Sequence, residues 1–407
     1  MRVSLRATAT AAALVAALAV LGPIAHAQAP RAAPPPPSPS RTDTLALPLR
    51  VVLGQGPALA AAAFDSATGS WGAACAASEI AVGARALEAS AEAGALLSLG
   101  PGAGDLRAAA SALARGMDPD SALILLVPAG TDPAARVGIV VGRGGRAAAR
   151  SGAHLPGFSG TRLGASFACA GYGLRGAATL EAMAEAFAQR SGDLGARLLA
   201  ALEAGERADG DPFAARGREA SAALLVVRAA AEPEPRFGTG SVPGSDRITD
   251  LRVDLDKDPI GALGRIYARH AETFLPAAHV RYGDAARRRG DDAAAAREYA
   301  AAEAGFRTAV AGGPKDADAL NELAWFLATR GGDPAEALRY AEAAVAARSD
   351  DPNLFDTLAE AAYRAGNLER AIEAAERAVR LSRGNERYAE RLRLFRAAKA
   401  ALASPSR

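Results

Sequence analysis

Leu320-Asn321-Glu322-Leu323-Ala324 and Phe355-Asp356-Thr357-Leu358-Ala359 share one pattern: a large apolar residue, two polar residues, leucine, alanine. The agreement continues downstream, where Ala337, Ala341 and Ala344 recur 34 residues later as Ala371, Ala375 and Ala378. The opening phrases stand 35 residues apart because the loop Gly331-Gly332-Asp333-Pro334 carries one extra residue. Apolar residues at helical spacing on both sides of a short turn read as two antiparallel helices. Alanine at matched positions lets such helices touch where they cross, as glycine does. A degenerate earlier copy runs from Tyr282-Gly283 through Gly290, Ala295, Tyr299 and Ala302. From Pro259 onward the chain reads as almost purely helical, and the last stretch, Arg387 to Leu402, is charged along one face and is expected to cap the stack.

This pattern resembles the tetratricopeptide repeat, with small residues at the helix crossing and a larger one just before. In that family the first helix of each repeat lines a concave groove. By register, the resemblance implies a groove of Asp284, Arg287, Asn321, Trp325, Asp356, Glu360 and Tyr363. A mixed polar groove with aromatic rings suits a peptide strand or a helix, so the implied partner is a protein or peptide. The competing reading places Trp325 and Tyr363 in the core between repeats.

Upstream the periods alternate. Strand-like runs occur at Leu59–Phe64, Gly72–Ala77, Val137–Val141 and Ala222–Arg228, and helical stretches at Asp105–Arg115, Leu180–Arg190 and Leu194–Glu206. Asp118-Pro119 is a cap followed by proline at the first helical position, opening a helix through Leu126. Gly142-Arg143-Gly144-Gly145 lies between two strand-like runs and reads as a hairpin turn rather than a phosphate loop. The mixture over about 220 residues predicts an α+β domain. The acidic residues Asp246, Asp250, Asp254, Asp256 and Asp258 read as a loop-strand-loop segment with a solvated edge and a helix start at Asp258-Pro259, since their spacing fits no calcium loop. His154, His270 and His279 have no zinc spacing, and neither Ser159 nor Ser166 sits in a nucleophile elbow. No metal or cofactor is expected.

Several segments of this domain, in order, resemble the family called domain of unknown function 1028, which is grouped with the N-terminal-nucleophile hydrolases. They are Phe64-Asp65-Ser66-Ala67-Thr68-Gly69, Trp71-Gly72, Ala81-Val82-Gly83-Ala84, Val137-Gly138-Ile139-Val140, Gly160-Thr161-Arg162-Leu163-Gly164 and Phe167-Ala168-Cys169-Ala170-Gly171. Ser221-Ala222-Ala223-Leu224-Leu225-Val226-Val227, Asp250-Leu251-Arg252-Val253-Asp254 and Asp258-Pro259 complete the set. The resemblance implies a four-layer αββα fold. It also implies chemistry by a Thr, Ser or Cys that is the first residue of the mature chain, whose free amine acts as base. Counting back from Asp65, that position falls on Ala58, which has no nucleophile. A Gln and an Asn of the family pattern are replaced by Ala170 and Tyr172, and a His-Thr-Gly reads Arg150-Ser151-Gly152. The expectation is a fold kept without its catalysis, and no catalytic residue is assigned.

The N-terminus reads as a signal peptide: Arg2 and Arg6, an apolar run from Ala11 to Leu21, and the small-x-small site Ala25-His26-Ala27. Cleavage there would start the chain at Gln28. Ala58 lies 31 residues beyond Ala27, so it would carry no free amine. A periplasmic or secreted location follows. Loss of Arg2 and Arg6 leaves 45 basic residues against 45 acidic ones, which argues against a polyanion or membrane-surface partner. With 5% aromatic residues, much of the 50% hydrophobic content is alanine, which suits closely packed thin elements. Cys75 and Cys169 can pair in an oxidising compartment or remain buried thiols; sequence leaves both open. The expected organisation is a signal peptide at 1–27, a proline-rich linker at 28–48, the hydrolase-like domain at 49–270 and the all-α repeat domain at 271–402. Two functions compete: a non-catalytic exported protein that binds a partner through the repeats, and an exported amidohydrolase activated by later proteolysis, with Thr42, Thr44 and Ser66 as the nearest nucleophiles.

Overall fold

The computed structural model describes residues 56–100, 105–127, 129–210, 212–213, 220–231 and 245–403. The leader and linker read from the sequence lie outside the described residues. Among the described residues, ten strands form two antiparallel sheets. In chain order they are β1 (Ala58–Asp65), β2 (Ser70–Ala77), β3 (Leu87–Ser90), β4 (Gly94–Leu99), β5 (Val137–Gly142), β6 (Ala147–Ser151), β7 (Phe158–Leu163), β8 (Phe167–Leu174), β9 (Ala220–Ala229) and β10 (Ser245–Asp256). One sheet has the order β10-β9-β2-β1-β8-β7 and the other β3-β4-β5-β6.

The sheets stack face to face, and side-chain alternation along β1 shows how. Ala58, Ala60 and Ala62 join Leu97, Ile139 and Val141 in the core between the sheets. Leu59, Ala61 and Ala63 point the other way, against α3 (Ala177–Gln189), α4 (Leu194–Asp209) and α5 (Pro259–Thr273), where Met183, Leu198 and Leu263 meet them. On the far side, Leu96 and Val140 pack against α1 (Leu106–Ala114) and α2 (Pro119–Leu125) through Ala109 and Ala122. The layers therefore run helix, sheet, sheet, helix. Because both faces of the central strands are buried, they read as unbroken apolar runs instead of alternating ones. Alanine dominates because two layers close on each strand, and a small side chain lets them approach.

The structure decides the state of the cysteines, which the sequence left open, and changes the reading of the acidic segment. The cysteines do not pair: both are buried free thiols. Cys75 lies opposite Ala60 and Cys169 opposite Ala61, on strands separated by β1, and they face opposite sides of the sheet. Two strand spacings, about 9–10 Å, exceed disulfide reach. Burial pushes the Cys169 thiol up to about 12 and Cys75 further still. The acidic segment is also one long strand, β10, and Asp246 is buried, not solvated. The cap at Asp258 does form, accepting the Gly261 N–H at 3.0 Å.

The rest is helical: α6 (Leu275–Arg288), α7 (Asp292–Gly312), α8 (Ala317–Arg330), α9 (Pro334–Ala347), α10 (Pro352–Arg364), α11 (Leu368–Leu381) and α12 (Glu386–Ala403). They pair as hairpins α6–α7, α8–α9 and α10–α11, joined by a shared core that contains Ala324, Ala337 and Ala341 together with Ala359, Ala371 and Ala375. Gly283 takes the small-residue place in the first hairpin: a Cβ there would come within 2.5 Å of the Tyr299 ring. Asp291, Asp316, Asp333, Asp351 and Asn367 each cap a helix by accepting a backbone N–H.

The two parts meet at a buried ion cluster. Arg228 of β9 forks onto Glu298 of α7 at 2.7 and 3.2 Å, and His279 Nδ1 lies 2.8 Å from the same carboxylate. Arg228 also stacks 3.8 Å over the Tyr282 ring, whose hydroxyl donates to Asp246 at 3.0 Å. Burial raises the Glu298 carboxyl, but hydrogen bonds from His279 and Arg228 outweigh it and hold the group at about 2.

Candidate functional site

The opening of β1 lies in the sandwich interior. Ala58 is fully buried and sits between Ala77 of β2 and Tyr172 of β8. Pro57 precedes it through an ordinary peptide bond, and the Pro57 carbonyl accepts the Ser78 N–H at 3.2 Å. Neither a nucleophile nor an amine is present at this point of the strand.

Charged groups lie around it instead. Glu79, two residues past the end of β2, is 7% exposed and forms an ion pair with Arg85. Its other oxygen, Oε1, has no hydrogen-bond partner. Arg136, buried just before β5, donates from Nη1 to Ser98 at 2.9 Å, and Ser98 donates to the Leu126 carbonyl at 3.3 Å. Burial, and then the Glu79 carboxylate, hold the Tyr172 hydroxyl far above its ordinary value. Burial lowers the Arg136 guanidinium, opposed by Glu79 and Tyr172. The nearest thiol, Cys75, is pushed up by burial and by Glu79, so it stays protonated and unreactive. This constellation can hold charge and donate hydrogen bonds, and burial keeps its thiol and its phenol protonated. Of the departures from the family pattern, Tyr172 belongs to this cluster, Ala170 faces Ala60 across the ladder, and Arg150 is exposed on β6. Sequence reading missed Glu79, Arg85 and Arg136. Their signal was slight: single charges at the ends of apolar runs.

The groove residues come together on the first helices of the hairpins, but most are already engaged. Asp284 pairs with Arg330 at 2.8 Å and accepts the Tyr299 hydroxyl at 2.7 Å. Arg287 lies 4.9 Å over the Tyr299 ring. Asp356 contacts Arg391 at 3.0 Å and Arg387 at 3.5 Å; Glu360 accepts from Arg391 at 3.0 Å and from Arg364 at 2.8 Å. Arg391 also lies 5.1 Å from the Trp325 ring, and Tyr363 stacks on Phe395 at 5.0 Å. Helix α12 thus closes the groove's distal end. Toward α6 a pocket of about 110 Å³ stays open between Val280, Phe306, Trp325, Phe326 and Arg330. Asn321, one turn before Trp325, carries a buried Oδ1 with no hydrogen-bond partner.

A larger cleft, about 1130 Å³, runs between α4 and α5 on one side and α6 and α7 on the other. Alanines and glycines are frequent in its lining, and Asp193, also in the lining, accepts the Tyr267 hydroxyl at 2.6 Å. Among the described residues there is no cluster of three or more His, Cys, Asp or Glu able to hold a metal, and no helix long and apolar enough to cross a membrane. The described histidines bond within the chain: His154 with Asp132 at 2.6 Å, His270 with the Ile248 carbonyl at 2.9 Å, and His279 with Glu298.

The model of a family of unknown function, DUF1028, matches residues 59–263. The chain belongs to the DUF1028 family. The crystal structure of a DUF1028 protein from Silicibacter pomeroyi is 28% identical, covering 53% of this chain and 89% of that one, with a TM-score of 0.44. The helical part is similar to the tetratricopeptide domain of Sgt2 from Aspergillus fumigatus, at 19% identity, 32% and 84% coverage and a TM-score of 0.27. It is also similar to the first such domain of Spaghetti (RPAP3), solved with an HSP90 peptide, at 20% identity, 32% and 94% coverage and a TM-score of 0.25. No curated protein matches the DUF1028 chain.

Proposed function

We propose that this DUF1028 protein is exported, that its sandwich domain is not catalytic, and that its helical hairpins bind a protein or peptide. The observation that carries the reading is the start of β1: buried Ala58, with Pro57 joined ahead of it. An N-terminal-nucleophile mechanism needs the attacking side chain and the free amine on one residue, and neither is found here. Thr68 and Ser70, at the opposite end of the first hairpin, are hydrogen-bonded to each other at 2.8 Å and to Asp65 through Thr68. They do not replace the missing groups.

Binding falls to the proximal part of the groove, because α12 covers the distal part. The pocket beside Trp325 has room for one aliphatic side chain, and the buried Asn321 Oδ1 one turn away has no hydrogen-bond partner. The partner that fits is an extended segment with a single apolar anchor. Titrating a library of labelled extended peptides against the purified full-length protein tests this. Binders should share an apolar anchor and weaken about tenfold, about 1.4 kcal/mol, on Trp325→Ala. Binders that ignore Trp325→Ala would move the site away from this pocket.

A further inference from the structure

The pocket beside Trp325 holds one charge of each sign, Glu322 and Arg330, among apolar walls. The two are not equivalent. Arg330 is engaged inside the chain: Nε and Nη2 donate to the two oxygens of Asp284, each at 2.8 Å, and Nη1 donates to the Thr329 carbonyl at 3.3 Å. The Thr329 hydroxyl, also in the lining, donates to the Trp325 carbonyl at 2.7 Å. The array itself answers each of these polar groups.

Glu322 differs. It is exposed, and among the described residues it has no ion pair. Asp318, one turn earlier on α8, is paired with Arg348. The Glu322 carboxyl is raised because the helices around it withhold water, against a hydrogen bond from Asn321, and Asp318 adds to the rise. A carboxylate placed so gains from a cation brought to it. With Arg330 neutralised by Asp284, the pocket is left with apolar walls and one unbalanced negative charge.

The place of that charge sets the pattern of a ligand. Glu322 and Trp325 stand at i and i+3 on α8, so they share a face, with about 5–6 Å between their Cβ atoms. In an extended peptide, residues i and i+2 point the same way, about 6–7 Å apart along the chain. An apolar side chain laid into the pocket at Trp325 therefore brings the side chain two residues away over Glu322. A cation there completes the charge balance. Lysine and arginine both have the reach, on stems that can lie along an apolar rim.

We propose that the segment bound at this pocket carries a lysine or arginine two residues from its apolar anchor, and that Glu322 selects it. The proposal rests on the peptide reading above and adds to it the charge of the partner.

The probes are fluorescein-labelled serine–glycine peptides with one leucine anchor and, two residues to either side of it, lysine, glutamine or glutamate. They are titrated against the full-length protein and followed by anisotropy. The lysine peptide should bind about three- to fivefold tighter than the glutamine peptide, and the glutamate peptide should bind most weakly. Glu322→Gln should erase the difference between lysine and glutamine and leave the glutamine peptide unchanged. This variant should melt with the wild type, since no ion pair is lost. Glu322→Lys should reverse the order in favour of glutamate. Equal binding of the three peptides, each still weakened by Trp325→Ala, overturns the proposal and leaves the anchor reading standing. A lysine preference that survives Glu322→Gln also overturns it. Peptides that fail to bind, or that bind without regard to Trp325→Ala, remove the pocket reading, and the proposal falls with it.

Discussion

In the sandwich, Ala74 pairs with Leu224 and Ala61 with Cys169, joining residues more than a hundred positions apart. In the array, α8 packs against α9 and α10 against α11, each within a single hairpin whose buried alanines share one core. Both regions use alanine to bring elements close, but different lengths of chain must be organised to do it. The sandwich is complete only when its last strands, β9 and β10, close on β2. The array grows hairpin by hairpin. The side chains divide along the same line: the sandwich buries Ala58 at the start of β1, whereas the array keeps a small pocket beside Trp325.

The largest expected effect is a break in the sandwich. Leu224→Ala removes a fully buried side chain from the core beneath α4 and should cost about 2–5 kcal/mol. Denaturant titration should show the sandwich signal lost as one unit. A loss confined to the helical signal would contradict the long-range character given to this region.

Next comes the junction. Glu298→Gln leaves Arg228 without its counter-charge and should cost on the order of 2–3 kcal/mol at neutral pH. The folded carboxyl stands at about 2 against an ordinary 4.5, so its contribution is complete above 4.5 and is lost as the pH falls through about 2. The stability gap between wild type and variant should therefore close in acid. A gap that stays constant across that window would mean that the carboxylate is not what couples the two parts.

Within the array, Ala371→Leu should force α10 and α11 apart and cost roughly 1–3 kcal/mol by overpacking. An unchanged melting temperature would count against the repeat register. A comparable or smaller effect, about 1–2 kcal/mol, is expected from Arg391→Ala, which leaves the buried Asp356 carboxylate with Arg387 alone at 3.5 Å. Its use lies elsewhere: it should uncover Trp325 and Asp356, readable as faster amide exchange along α10.

How far the sequence could be read follows from the same contrast. The hairpins were legible because their contacts are local and recur: Ala337 and Ala371 announce each other, and both are buried. In the sandwich, β1, β2, β5 and β9 could be seen as apolar runs, but β3 and β4 could not. Leu87–Ser90 and Gly94–Leu99 are short, and what makes them strands is their pairing with each other and with β5. The residues assigned to the groove lie on α6, α8 and α10, and their ion pairs with α12 were hidden, because Arg391 looks from sequence like one more solvated charge. Glu79 and Arg136 were invisible for a related reason. Only the stacking of two sheets brings a residue after β2 and one before β5 to the same end of β1.

The central claim, that the sandwich domain performs no N-terminal-nucleophile chemistry, is tested most directly by intact-mass analysis of the purified exported protein after exposure to an amidase-directed electrophile. The account predicts a chain starting at Gln28 with no adduct. A chain starting at a threonine or serine and carrying one covalent adduct would contradict it.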